Sequence, residues 1–374
     1  MHLSFVFPDR PQRVYWEVTR SCDLACRHCR AEAVATANPD ELTAAEATSL
    51  IAALSGFQDP LPHLVLTGGD PLKRQDLFAL IDTARAHGFP VSVAPSATPL
   101  LTADALRRMH AAGVEAISLS LDGATEARHD RIRGIDGTYQ RTIAAAGVAR
   151  EIGLPFQVNT LVCEETVDDL PAVRELVAGL GAARWSLFFL VAVGRGQVLQ
   201  PISAARAEVV LQWLAAFAGV PRPGQPVVST TEAPHFRRIL TERRRDLTAS
   251  NTPAHASGAA TARPAHAAGG IRDGNGILFI SHTGDICPSG FLEIPAGNVR
   301  GQNVVDVYRQ HPLFQALRDP DAFHGRCAPC EFRWTCGGSR ARAYAASHDP
   351  LGSDPLCTHE PRQPRPVQAS ALGH

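Results

Sequence analysis

The chain has 374 residues, more than a single hydrophobic core usually serves, so one large α/β domain with a smaller companion is expected. A formal net charge of −1 argues against a broad affinity for nucleic acid, and no run of 18 apolar residues offers a membrane span. The N-terminus lacks a charged stretch followed by an apolar run, so no secretory signal is expected, and nine cysteines then suit metal ligation in a reducing cytoplasm better than a disulfide framework. Lys73 is the only lysine, so the abundance of arginine reflects a GC-rich genome and carries no functional message by itself.

From residue 13 to about 220, short apolar runs alternate with amphipathic stretches. The first strand-like run, residues 14–18, leads into Glu17-Val-Thr-Arg-Ser-Cys22-Asp-Leu-Ala-Cys26-Arg-His-Cys29, a C-x3-C-x2-C spacing. Three thiolates can hold three irons of a [4Fe–4S] cube and leave the fourth open to a ligand. A zinc knuckle would need a fourth protein ligand, and His28, adjacent to Cys29, is badly placed to serve.

Further strand-like runs follow at 63–66, 91–94, 116–121, 156–162 and 185–191, separated by helix-like segments at 43–56, 74–88, 102–113, 138–153 and 168–181. Most of those segments end in Gly just before the next strand, the expected C-cap. Alternation of this kind predicts a parallel sheet whose functional site collects at the C-terminal ends of the strands. It does not by itself separate a partial barrel from a flavodoxin-like sheet or a full barrel. The second strand is followed by Thr67-Gly68-Gly69-Asp70-Pro71, a glycine pair that would let backbone carbonyls approach a ligand amine.

From Arg243 to Gly270 the composition turns to Ala, Thr, Ser, Pro, His and Gly, which predicts a flexible linker. A smaller domain, residues 271–361, opens with a hairpin turning at Thr283-Gly284-Asp285 and carries Cys327, Cys330 and Cys336 in C-x2-C-x5-C spacing, followed by Cys357. On spacing alone these four could bind zinc or an iron–sulfur cluster. Residues 10–220 are then the core, 221–270 an extension and linker, and 362–374 a disordered tail. Cys163 reads as a small buried hydrophobe within the fifth strand.

Together these motifs resemble the radical S-adenosylmethionine (radical SAM) superfamily, over about residues 10 to 361. The resemblance implies an α/β fold, a partial (β/α)6 TIM-like barrel with a small C-terminal cysteine-rich iron–sulfur domain. It implies a [4Fe–4S] cluster on Cys22, Cys26 and Cys29 whose open iron chelates SAM and cleaves it reductively to a 5′-deoxyadenosyl radical. Gly68, Gly69 and Asp70 match the family's G-G-E-P loop with Asp for Glu. Ser118, Ser120 and Asp122 end the fourth strand, where such residues bond the SAM carboxylate or ribose. Either Arg131 or Arg133 falls where the family places an arginine near a carboxylate, Asn159 matches a ribose-bonding position, and Gly194-Arg195-Gly196 resembles the terminal Gly-Arg-Gly loop. Where relatives have an Asn-Gly turn after the third strand, this chain has Pro95-Ser96-Ala97-Thr98-Pro99.

The C-terminal run resembles the SPASM extension of many such enzymes, and Cys327, Cys330, Cys336 and Cys357 match the ligands of one auxiliary [4Fe–4S] cluster. The ligands of the other fall on Arg340 and Ser289, so one auxiliary cluster is expected, with Cys287 two positions out of register. The group most resembled includes the mycofactocin maturase and the radical enzymes of haem and haem d1 synthesis. An oxidative modification or decarboxylation of a tetrapyrrole or other small molecule is expected, with a flavodoxin- or ferredoxin-type electron donor. About a dozen residues precede the first strand, which leaves no room for a peptide-recognition domain. A ribosomal peptide maturase would therefore need a separate recognition protein, and a non-catalytic iron–sulfur or zinc scaffold would not need the intact first cysteine trio. Arg237 and Arg238, in the stretch expected at the barrel mouth, could bind carboxylates or form a solvated helix face.

Overall fold

Apolar runs too short for helices become strands here because each is flanked by a capped amphipathic segment. The computed structural model describes residues 6–218, 224–250 and 270–362. Its strands are β1 (Arg13–Glu17), β2 (His63–Thr67), β3 (Val91–Val93), β4 (Ala116–Ser120), β5 (Phe156–Val162), β6 (Arg184–Phe189), β7 (Val227–Thr231), β8 (Ile277–Ile280), β9 (Asp285–Cys287) and β10 (Gly297–Asn298). The helices are α1 (Ala44–Leu54), α2 (Leu77–Ala86), α3 (Ala103–Ala111), α4 (Glu126–Arg133), α5 (Thr138–Glu151), α6 (Leu170–Leu180), α7 (Ala204–Ala215), α8 (Phe236–Ser250), α9 (Val304–Gln310), α10 (Pro312–Arg318) and α11 (Arg340–Ser347). None is long and apolar enough to cross a membrane.

The strands form one sheet in the order β10-β9-β8-β1-β2-β3-β4-β5-β6-β7, with every neighbour from β8 through β7 parallel. The six expected strands each appear within about two residues of their predicted limits, which builds the expected α/β partial barrel. Local chemistry sets the helices: Thr43 and Glu46 make a reciprocal capping box at the start of α1, and Gly181 closes α6 in the left-handed conformation. Trp16, Leu64, Leu119 and Trp185 are fully buried, as a sheet covered on both faces requires.

Three features depart from the expectations. A seventh parallel strand, β7, follows the sixth unit, and α8 runs to Ser250, so the expected linker from Arg243 begins as helix. The rest of that linker, residues 251–269, and the expected tail from 363 lie outside the described residues. The C-terminal hairpin extends the barrel sheet, since β8 pairs in parallel with β1 from Arg13↔Ile277 to Trp16↔Ile280.

That pairing delivers the hairpin to the cysteine loop. Glu17, at the C-terminal end of β1, is wholly buried; it forms an ion pair with the Arg30 guanidinium at 3.0 Å and lies 2.9 Å from His282 Nδ1 in the β8–β9 turn. Arg30 also pairs with Glu293 at 2.8 Å and lies over the Phe279 ring at 4.6 Å. Burial alone would raise the pKa of Glu17, but Arg30 and His282 outweigh it and hold the carboxyl at about 2.

The depressed pKa makes the fold acid-sensitive. Stability from Glu17 is fully present above its ordinary value of 4.5 and is lost as pH falls through about 2. Glu17→Gln is expected to cost about 3 kcal/mol at neutral pH. The difference in melting temperature between the two proteins should shrink as the pH is lowered from 4.5 towards 2; a gap that does not change with pH would show that Glu17 is not the ionised partner described.

Candidate active site and cysteine centres

The loop after β1 is held by its own backbone and by distant arginines. Cys22 N–H donates to Val34 O at 2.8 Å, and the Leu24 and Ala33 N–H groups each donate to a cysteine sulfur, Cys22 and Cys29, at 3.4 Å. Arg133 Nη1 lies 3.8 Å from Cys26 Sγ, and Ser96 Oγ lies 3.7 Å from Cys22 Sγ. Arg195 Nε donates to Cys26 O at 3.0 Å and its Nη1 to Ala33 O at 2.9 Å. Three thiols surrounded by N–H donors and a guanidinium suit a thiolate-bound cluster, whose charge such donors stabilise.

Cys22, Cys26 and Cys29 open onto a cleft at the C-terminal ends of β1 to β6. The structure brings Gly68, Gly69, Ser118, Ser120, Asp122, Arg133, Asn159 and Arg195 to its walls. Phe188 from β6 and Phe291 from beyond β9 both line it and pack on each other as a tilted pair, with ring centroids 6.5 Å apart.

The glycine pair earns its place differently from the expectation. A Cβ on Gly68 would lie 2.5 Å from Thr19 O, and one on Gly69 2.5 Å from Ser21 O. What fills the missing side-chain space is therefore the backbone leading into the cysteine loop, tied down by Gly69 N–H to Thr19 O and Asp70 N–H to Ser21 O. Asp70 is buried and turned from the cleft: its carboxylate accepts from Thr98 Oγ1 at 2.6 Å, Leu72 N at 3.2 Å and Ser96 N at 3.3 Å. Ser96 Oγ in turn donates to Gly69 O at 2.7 Å. The Pro95–Pro99 segment thus anchors the glycine loop, a role that sequence reasoning missed.

Of the two candidate arginines on α4, only Arg133 reaches the cleft. It pairs with the buried Asp122 at 2.6 Å. Burial opposes ionisation of Asp122, but Arg133 outweighs it and holds the carboxyl below its usual range. Arg131 is exposed and faces Glu165 at 3.9 Å, away from the site. Asn159 accepts from Gln157 Nε2 at 2.6 Å through its carbonyl, which leaves its amide N–H groups for a cleft ligand. His28 also lines the cleft, with Nδ1 buried and unpartnered; burial, then Arg133, pushes its pKa down to about 4, so it faces the cleft neutral.

Cys327, Cys330, Cys336 and Cys357 line one cavity in the C-terminal region. All nine cysteines of the chain are free thiols. No three sulfurs approach within 4.8 Å of one another among the described residues. Cys330, Glu331 and His359 do each offer one ligand atom within that distance of the others. Cys287 lies buried on β9, where burial pushes its thiol up to about 12, and it does not join this group. Cys163 directly follows β5 and packs with Ile132, Leu161, Leu190 and Leu199, as a small hydrophobe should.

Arg237 and Arg238 are not free for a substrate. Arg237 donates to Thr335 O and Ile271 O, and Arg238 pairs with Glu208 and Glu242. Arg237 ties α8 to the C-terminal region, and Arg238 ties α8 to α7.

The Radical SAM superfamily model matches residues 16–177. The chain is 38% identical over 357 residues to an AdoMet-dependent heme synthase of Nitratidesulfovibrio vulgaris, covering 95% of this chain and 94% of that one. It is 35% identical to an AdoMet-dependent heme synthase of Methanosarcina barkeri, covering 94% and 97%. Among solved structures it resembles Streptococcus suis SuiB bound to S-adenosylmethionine, with a TM-score of 0.71 at 15% identity over 94% of this chain and 78% of that one.

The glycine contacts give a direct prediction. Gly69→Ala should cost roughly 1–3 kcal/mol, because its Cβ must displace backbone. Gly147→Ala, in α5 with nothing within 4 Å of the added atom, should be neutral or stabilising by up to about 1 kcal/mol. Chemical denaturation of the two variants checks this; equal effects would remove the packing role assigned to Gly69.

Proposed function

Because the chain belongs to the radical SAM superfamily, we propose that it oxidatively decarboxylates a propionate side chain of an iron tetrapyrrole in haem formation. The observation that carries this reading is its identity along nearly the whole length with AdoMet-dependent heme synthases, including the region that holds the second cysteine group. The superfamily's cofactors are a [4Fe–4S] cluster and SAM, which together supply a carbon-centred radical able to remove a hydrogen atom from an unactivated carbon. The net change converts –CH2–CH2–COO⁻ to –CH=CH2, with loss of CO2, one hydrogen atom and one electron.

Cys22, Cys26 and Cys29 would hold the cluster, with Arg195 and the Leu24 and Ala33 N–H groups keeping their loop in shape. Three ligands leave one iron for SAM. Gly68, Gly69, Ser118, Ser120 and Asn159 offer backbone and side-chain groups to the cofactor's polar parts, while Arg133 is held in place by Asp122. Phe188 and Phe291 give the cleft an apolar wall suited to a largely apolar ring system. Cys327, Cys330, Cys336 and Cys357 would ligate every iron of a second cluster, which fits it to take the electron rather than the substrate. A small flavodoxin- or ferredoxin-type protein would deliver the starting electron.

Anaerobically reconstituted protein should bind about eight irons per chain, from two four-iron cubes. Reduced protein should cleave SAM and remove the elements of formic acid from an iron porphyrin bearing propionates, read by mass spectrometry. Cys26→Ala should abolish both activities. Cys336→Ala should retain SAM cleavage but lose product. Full product from a Cys336→Ala protein lacking the second cluster would refute the electron-acceptor role, and SAM cleavage with an inert porphyrin would refute the substrate.

A further inference from the structure

Charge around the C-terminal cysteines is lopsided. Arg340 is fully buried and Arg272 is 4% exposed, yet neither has a carboxylate within 4.0 Å of its guanidinium among the described residues, and nor does the part-buried Arg237. Their partners are carbonyls: Gly338, Pro350 and Gly352 for Arg340, Gly270 and Leu317 for Arg272, Thr335 and Ile271 for Arg237. Asp273 accepts from the backbone N–H groups of Arg340 and Ala341, and Asp354, which lines the cavity, is paired with Arg342. Carbonyl dipoles soften the burial of a cation without pairing it with a direct counter-charge.

The same three arginines pack against the cysteine-bearing backbone from outside the cavity, whose own walls carry Arg238, Arg326, Arg333 and Asp354. Arg340 Nη2 lies 3.6 Å from Cys327 Sγ. Arg237 donates to Thr335 O, one residue before Cys336, and Arg272 packs against Gly337, one residue after it. Arg272 and Arg340 lie over the same Phe323 ring, at 5.2 and 4.6 Å. Local backbone makes this approach possible. Gly337 and Gly338 follow Cys336 with φ of 69° and 66°, and a Cβ on them would meet Arg272 Nε at 3.0 Å and Arg340 Nη2 at 2.3 Å. Glycine is required there both by conformation and by the guanidiniums packed against it.

We propose that Arg272, Arg340 and Arg237 form a cationic shell that raises the electron affinity of the centre held by Cys327, Cys330, Cys336 and Cys357. The inference rests on the iron–sulfur reading of that site given under Proposed function. When the carboxylate of the hydrogen-depleted propionate leaves as CO2, one electron leaves with formation of the C=C bond and enters the thiolate-bound centre; no proton moves. The centre then becomes one unit more negative, and fixed buried cations favour that state. Hydrogen bonds to sulfur, local charge and exclusion of water are the levers that set such potentials, and all three act here. Arg340 occupies the position where the resemblance would place a ligand of a second auxiliary cluster, so this chain has a cation at the remaining cluster in its stead.

The test uses full-length protein with Cys22, Cys26 and Cys29 replaced by alanine, so that only the C-terminal centre is titrated. Its midpoint potential is read by EPR during anaerobic redox titration, with iron content measured alongside. Arg340→Gln and Arg272→Gln should each weaken electron uptake about tenfold, a fall of ~59 mV, and the double variant should fall further. Arg340→Lys and Arg272→Lys, which keep the charge, should stay near the parent. Arg237→Gln, at the least buried position, gives the same readout if the others fail to hold iron. Unchanged potentials with iron retained, or equal shifts in the Gln and Lys variants, would overturn the proposal, as would loss of iron from all three Gln variants, which would make the arginines structural supports of the site. A parent that binds no iron at these cysteines would instead overturn the cluster reading itself.

Discussion

Glu17 is the carboxylate on which the active region depends. It sits at the end of the first strand with no access to water, and its partners come from different parts of the chain. Arg30 belongs to the loop that carries Cys22, Cys26 and Cys29, while His282 belongs to the hairpin that extends the sheet. Removing a single partner from such a buried set leaves charge stranded, which is far worse than losing an exposed pair. The first cysteine centre and the C-terminal region are in this way parts of one electrostatic unit, whatever each binds.

Two glycine pairs solve the same packing problem at the two cysteine groups. Gly68 and Gly69 let the turn after β2 lie on the backbone of Thr19–Ser21, just ahead of Cys22. Gly337 and Gly338 let guanidiniums lie on the backbone just after Cys336. In both places the absent side chain brings a rigid element against a cysteine-bearing loop, so the loop is held by contact and not by its own length. The difference lies in what is brought close: neutral backbone at the first site, positive charge at the second.

The core strands were legible in the sequence because each is a short apolar run between capped helices, and the two cysteine groups were legible from spacing. What was not legible shares a physical cause. The seventh strand, Val227–Thr231, is short and half polar, and only its pairing with β6 makes it a strand. Pairing of β8 with β1 spans most of the chain, and local pattern carries no trace of it. Arg131 and Arg133 could not be told apart without α4, whose eight residues, Glu-Ala-Arg-His-Asp-Arg-Ile-Arg, have almost no apolar stripe. Once the helix is known the choice is forced, since positions two apart on a helix point to different faces. Asp70 and Arg195 were legible as site residues but not in their roles, because which groups a buried side chain bonds is decided by segments distant in sequence.

The pairing of β1 with β8 has a consequence for how the protein is made. Glu17 and His282 lie 265 residues apart, and β1 has no partner on that side until β8 has left the ribosome. At ordinary synthesis rates the interval is roughly ten to fifty seconds. Through it the first strand presents an open edge, and the three-cysteine loop beside it lacks the hairpin that will brace Arg30. The nascent chain thus exposes the thiols of Cys22, Cys26 and Cys29 before the hairpin that shelters their loop exists.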